Sequence, residues 1–179
     1  GAYPGTDPLF LGMLGMHAAR YTNMALEECD LLIVAGARFD DRATGRIAEF
    51  CAGARVIHLD IDPGEINKLR QAHIQLVGPV QSTLEELLPL VEMRKRTDWL
   101  ERVAALKSDY PFIAPGADNP RMPYGLIRQI ASVVDDEAVI ATDVGKHQMW
   151  VAQAYPFGRP RQLLTSGGLG TMGFGMPAA

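Results

Sequence analysis

Residues 31–45, LLIVAGARFDDRATG, decide how this chain is read. Leu31–Ala35 is an unbroken apolar run of leucine and β-branched side chains, too short for a helix and lacking the alternation of a half-exposed strand. Such a run fits a strand covered on both faces within a parallel sheet. At Gly36 it breaks into Arg38, Asp40, Asp41 and Arg42. Two readings of that loop remain open. Asp40 and Asp41 cap a short helix while the arginines neutralise them. Alternatively, Arg38 and Arg42 face a pyrophosphate, helped by backbone N–H groups near Gly36.

Working outward, the pattern of that strand repeats. Arg55–Ile61 reads as a second buried strand, closed by Asp62-Pro63, a start signal that predicts a helix over GEINKLRQ. Ile74–Val77 is a short third strand ended by Gly78-Pro79. Ser82–Met93 carries apolar residues at 84, 87, 88 and 91, the stripe of an amphipathic helix. Strand and helix alternating with short joins define a parallel α/β fold, Rossmann-like in class. Thr97–Ser108 predicts a helix burying Trp99, Val103 and Leu106, and DYPFIAPGADNPRMP behind it is proline-rich loop. A second α/β pattern follows: helix over Tyr124–Val134, strand over Ala138–Thr142, helix over Lys146–Ala154, strand over Gln162–Thr165. The domain reading is therefore a first α/β domain over 1–93, a linker over 94–121, and the start of a second α/β domain over 122–179.

Bulk properties exclude several classes. A net charge of −4 and the lack of a Lys/Arg stripe argue against a polyanion partner, so no nucleic acid is expected. No apolar run nears the ~20 residues of a membrane span. The two cysteines, Cys29 and Cys51, form no CxxC motif and read as reduced thiols of a cytoplasmic-type protein. The opening GAYPG and the closing MGFGMPAA both look cut, so the chain reads as an excerpt.

Ligands of open parallel sheets lie beyond the carboxyl ends of the strands. Four loops fall there: 36–44, 60–64, 143–148 and 166–175. Asp60 lies 24 residues after Gly36, near the spacing at which an acid accepts a ribose hydroxyl in dinucleotide folds, although the GxGxxG fingerprint is absent. GGLGTMGFG places five glycines in the nine residues Gly167–Gly175, either a backbone pressed on a ligand or a helix-packing seam. Among the histidines, His17 reads as a loop residue, His58 as a hydrogen-bonded core residue, His73 as surface, and His147 as able to reach a ligand. None has a second ligand at metal spacing, so no metal site is expected within the chain. No serine nucleophile elbow and no Walker loop occurs.

Four stretches in this order, LGMLGMH (11–17), GARFDDRATG (36–45), HLDID (58–62) and DVGKHQMW with TSGGLGTMGFGMPAA (143–179), resemble the acetohydroxyacid synthase (acetolactate synthase) catalytic subunits. These are thiamine diphosphate enzymes that also carry FAD and Mg2+. The resemblance implies that Leu14, Gly15, Met16 and His17 lie along the flavin nucleotide and that Gly36, Ala37, Arg38, Phe39 and Asp40 hold it. Asp60 and Ile61 would sit at its adenosine end, with Pro79, Val80, Gly167 and Gly168 completing the set. Lys146, His147, Gly170, Thr171 and Met172 would approach thiamine diphosphate, and Met172 would enforce its bent shape. Asp41 and Arg42 would line the channel to the active site.

The reaction implied is decarboxylation of pyruvate and transfer of its two-carbon unit to pyruvate or 2-oxobutyrate, as in branched-chain amino acid biosynthesis. A homo-oligomer, a homodimer at least, is implied, with room for a small regulatory subunit. Three positions depart from the family pattern: Lys146 replaces glutamine, Ala18 a glycine, and Pro79 an aspartate. The activating glutamate and the metal ligands are expected outside residues 1–179, which leaves this piece inactive by itself. The alternatives are an FAD-bearing carboligase of the glyoxylate type and a dinucleotide-binding module without chemistry.

Overall fold

The computed structural model describes residues 2–179. Contacts divide the chain into two compact units, one of residues 14–111, the other of residues 112–179 with the N-terminal segment up to Met13.

In the unit Leu14–Pro111, a 3-10 turn at Gly15–His17 leads to α1 (Arg20–Glu28), β1 (Leu31–Ala35) and a one-turn α2 (Asp41–Thr44). β2 (Arg55–Asp60), β3 (Ile74–Val77), α3 (Val80–Leu87) and α4 (Thr97–Asp109) follow. The three strands form a parallel sheet in the order β1-β2-β3, with Ala35 beside Leu59 and Asp60 beside Val77. Their carboxyl ends therefore lie side by side. The middle strand carries the core: Val56, His58 and Leu59 have no exposed surface. Phe39 is buried too, edge-on to His58 at 5.2 Å and to Phe50 at 6.3 Å.

His58 belongs to the core as expected, but it is not hydrogen-bonded there. Neither ring nitrogen has a partner among the described residues. The ring packs as an apolar body against Phe39, and two polar atoms without partners are a burden of about 1–3 kcal/mol each. His58→Leu should accordingly hold or raise stability. A fall in the urea midpoint equivalent to more than about 2 kcal/mol would contradict this packing. His73, expected on the surface, is exposed there and also extends the sheet. Its Nδ1 accepts the Val56 N–H at 3.0 Å, and its own N–H donates to the Val56 carbonyl.

The helix expected over GEINKLRQ does not form. The segment runs as successive turns, because Asp62 accepts the Gly64 N–H and Asn67 takes a left-handed φ of 61° while accepting from Ala72. Local side-chain bonds to backbone outcompete the helix there. The extended course lets Arg70 reach the carbonyls of Ile47, Phe50 and Cys51. α3 is also shorter than its stripe suggests. It stops at Leu87, and a 3-10 turn over Leu88–Leu90 contains Pro89, which has no N–H to continue the ladder. α1 is absent from the expected elements.

α4, placed in the linker by sequence, packs against α1 in this unit. Arg102 holds Glu28 through two bonds of 2.6 Å, and Arg20 sits over the Tyr110 ring. Leu106 is its fully buried contact, whereas Trp99 stays 36% exposed. Both cysteines are free, and burial with the neighbouring Cys29 pushes the Cys51 thiol up to about 12.

The second unit comprises α5 (Pro123–Val133), β4 (Ile140–Thr142), α6 (Lys146–Ala154), β5 (Leu163–Thr165) and α7 (Gly175–Ala178). β4 and β5 pair in parallel, Thr142 beside Thr165. α5 packs on α6, and Tyr124 donates to Gln153 Oε1 at 2.8 Å. Pro123 at the first position of α5 fixes its start, since a missing N–H is harmless there. No described helix is long and apolar enough to cross a membrane.

Candidate functional site

At the carboxyl edge of the three-stranded sheet the loops after β1, β2 and β3 converge. The Gly36 N–H donates to the Leu59 carbonyl and the Gly78 N–H to the Asp60 carbonyl, so each strand exit is tied to its neighbour. Gly36 has a φ of 60°, and a Cβ there would stand 3.6 Å from Val80 Cγ2. Gly36 and Val80, grouped together by the resemblance, are thus neighbours. The Gly36 amide itself is spent on the sheet, which leaves anion reception to the arginines.

The loop alternates between anchor and open groups. Phe39 turns into the core, while Arg38, Asp41 and Arg42 are exposed and enter no ion pair among the described residues. Asp40 caps α2 by accepting the N–H groups of Arg42 and Ala43 at 3.1 and 3.2 Å. The capping half of the first reading therefore holds for Asp40 alone, since Asp41 is the first residue inside α2; the neutralising half does not hold. Asp60 is buried at the tip of β2, one oxygen accepting the Asp62 N–H at 2.9 Å, and Ile61 beside it is exposed.

Gly15 brings the first motif to the second. Its N–H donates to Asn23 Oδ1 and its carbonyl accepts from Asn23 Nδ2, both at 3.0 Å, which seats the turn on α1. On its other side it lies against the backbone of Arg42 and Ala43. Gly15, Met16, Asp41 and Arg42 consequently share the wall of a cavity of about 420 Å³ that runs to Phe50 and Cys51. Leu14 and Met16 present exposed apolar surface beside it. A dinucleotide fits what this edge offers: uncommitted guanidinium groups, an acid at the next strand tip, and apolar side chains open to a ring.

The other unit has its own strand-end assembly. α6 starts at Lys146, with Lys146 and His147 exposed. Behind them Thr142 and Gln148 both donate to Thr165 Oγ1, at 2.9 and 2.7 Å, locking β4, β5 and α6 together. The glycine-rich loop leaves β5 and is stapled twice. Ser166 accepts the Gly170 N–H on its carbonyl and the Thr171 N–H on its hydroxyl. Asp143 accepts the Gly173 N–H on both carboxylate oxygens. Backbone bonds from Val144, Gly173 and Gly175, with the His147 charge, hold the Asp143 carboxyl below the usual carboxylate range.

A Cβ on Gly168, Gly170 or Gly173 would meet nothing within 4 Å, so the loop is an open cradle rather than a packing seam along that stretch. Gly175 differs, because a Cβ there would stand 2.6 Å from the Asp143 N. Leu169 and Met172 are 93% and 81% exposed. A phosphorylated cofactor fits a glycine track with open space above it and Lys146 four residues past the end of β4, the strand paired with β5. Gly167 and Gly168, grouped with the flavin contacts by resemblance, belong to this unit. Asp143 and Ser166 were missed from sequence; an acid directly after a strand, facing a glycine run, was the available signal.

Residues 1–87 match the family described as "Thiamine pyrophosphate enzyme, central domain", and residues 143–179 match "Thiamine pyrophosphate enzyme, C-terminal TPP binding domain". The class is thus that of thiamine pyrophosphate (thiamine diphosphate) enzymes, and both matches agree with the parallel α/β units. Among curated relatives, acetolactate synthase isozyme 1 large subunit of Escherichia coli is 56% identical over all of this chain and 32% of its own length. Isozyme 2 large subunit of the same organism is 46% identical, likewise over all of this chain and 32% of its length. The chloroplastic acetolactate synthase 1 of Zea mays is 42% identical over all of this chain and 29% of its own length. The chain belongs to the thiamine pyrophosphate enzymes and, within them, to the acetolactate synthase large subunits. It spans about a third of the length of the curated relatives it matches.

Proposed function

We propose that this chain is a segment of an acetolactate synthase whose full-length form decarboxylates pyruvate and joins the two-carbon unit to pyruvate or 2-oxobutyrate. The observation that carries this reading is the open, doubly stapled glycine loop at the end of β5, within the stretch that matches the cofactor-binding family. The first α/β unit would hold FAD as a structural group, through Leu14–His17, Gly36–Asp40, Asp60, Ile61, Pro79 and Val80. Gly167 and Gly168 are carried to the same cofactor by resemblance alone.

Lys146, His147, Gly170, Thr171 and Met172 would hold thiamine diphosphate, with Mg2+ bound by ligands outside these residues. When bound, that cofactor supplies an electron sink for the charge left by departing CO2. The residues here bind, orient and exclude water. Lys146 offers positive charge to a diphosphate but no acceptor, unlike the glutamine of the family pattern. Met172 would offer the cofactor a soft apolar body and so help to orient it. Asp41 and Arg42, open to solvent beside the cavity, would line the approach of the 2-oxo acid. A cytoplasmic homo-oligomer with a small regulatory subunit is the assembly proposed.

The test is product analysis of the full-length enzyme with thiamine diphosphate, Mg2+ and FAD. Acetolactate from pyruvate is expected, and product from glyoxylate alone would refute the assignment. Met172→Ala should lower turnover about tenfold while the thermal midpoint stays put, since lost orientation acts on the rate rather than the fold. Unchanged turnover would remove its supporting role.

A further inference from the structure

We propose that Asp143 is a positioning residue of the cofactor site: its carboxylate fixes the glycine-rich loop and so sets where Gly170, Thr171 and Met172 are presented to thiamine diphosphate. The inference rests on the cofactor reading above and deepens it. Asp143 stands at the first position after β4, and its backbone direction is fixed by that strand. Oδ1 accepts the Val144 N–H at 2.6 Å and the Gly173 N–H at 2.9 Å, while Oδ2 accepts the same Gly173 N–H at 3.0 Å. Gly175 packs so closely on the Asp143 backbone that no side chain fits between them.

The loop needs such a clamp. Gly170 and Gly173 adopt φ of 61° and 85°, and glycine gives up more freedom than any other residue when held. Leu169 and Met172 are almost wholly exposed, so packing does not place them. What remains is backbone bonding. Ser166 fixes Gly170 and Thr171 from the β5 side, and Asp143 fixes Gly173 from the β4 side. Met172 lies between the two staples, one residue from the second. Both Asp143 oxygens act as acceptors, a pattern only the ionised acid provides. Asparagine keeps one acceptor and turns an NH2 group toward N–H donors.

The experiment uses full-length enzyme carrying Asp143→Asn, with Asp143→Ala as a second variant. Amide hydrogen exchange is measured over residues 166–175 without cofactor, thiamine diphosphate with Mg2+ is titrated by tryptophan fluorescence, and kcat and the pyruvate KM are determined. Asp143→Asn should speed exchange at Gly173 and its neighbours about tenfold and weaken thiamine diphosphate about tenfold. Exchange elsewhere and the pyruvate KM should stay within about twofold, a split that general destabilisation would not give. Equal loop exchange, or equal cofactor affinity in wild type and variant, overturns the proposal while leaving the cofactor reading intact. Should wild type itself fail to bind thiamine diphosphate, the cofactor reading falls and takes the presenting role with it. If the alanine variant does not fold, the near-isosteric asparagine variant still decides.

Discussion

Gly15→Ala is expected to destabilise the unit Leu14–Pro111 by about 2–5 kcal/mol, on the sum of left-handed strain and overpacking. A Cβ at this position would stand 2.2 Å from the Arg42 carbonyl oxygen and 2.6 Å from that of Ala43. Both are main-chain atoms, which cannot swing aside as a side-chain end can. Gly15 also has a φ of 79°, outside the range an L side chain adopts comfortably. Against a total stability of about 5–15 kcal/mol, that is a large fraction of the margin. Gly45→Ala is the control. It too has a positive φ, 61°, with ψ −124°, but nothing lies within 4 Å of its Cβ position, so it should lose only the backbone strain of about 1–3 kcal/mol. Urea denaturation of the full-length protein measures both. Equal midpoints for the two variants would show that the close approach of the turn to α2 does not matter.

Arg38→Ala should weaken FAD binding roughly tenfold to a hundredfold in the full-length enzyme. The range follows from about 1.5–3 kcal/mol for a hydrogen bond to a charged group. The guanidinium is exposed and has no carboxylate partner among the described residues, so its removal leaves nothing else unpaired. Stability without FAD should therefore be unchanged, and stability with FAD should fall in step with the affinity. Arg94→Ala, which loses only a bond to Glu92 on the surface, should change neither. Wild-type FAD affinity in the Arg38 variant would discard the loop's proposed contact with the pyrophosphate.

Much of the fold was legible because its strands are written in apolar runs. Leu31–Ala35 and Ile74–Val77 came out with their observed bounds, and Lys146–Ala154 was placed to the residue. The parallel pairing followed from that alternation. The failures have physical causes. Asp62-Pro63 opened a helix on paper, yet Asp62 and Asn67 bonded to nearby backbone and turned the segment instead. The apolar stripe of α3 ran through Pro89, which ended the helix. α1 was missed because its only buried residues, Thr22 and Ala25, are small and weakly apolar.

The loop chemistry was legible in kind but not in division of labour. Arg38, Asp40 and Asp41 form one charged cluster in sequence, yet only Asp40 is consumed by structure, as a cap. The anchoring acid of the glycine track was marked only by its place directly after a strand. Its bond to the Gly173 N–H, thirty residues on, leaves no spacing pattern to read.

The inward turn of Phe39 has a consequence for how the loop can be altered. Because one aromatic ring fastens the loop and one neighbouring acid shapes it, positions 38, 41 and 42 are released from any duty to the interior. Single substitutions at those three would retune what the loop meets at little cost to folding, whereas changes at 39 or 40 would loosen the loop itself.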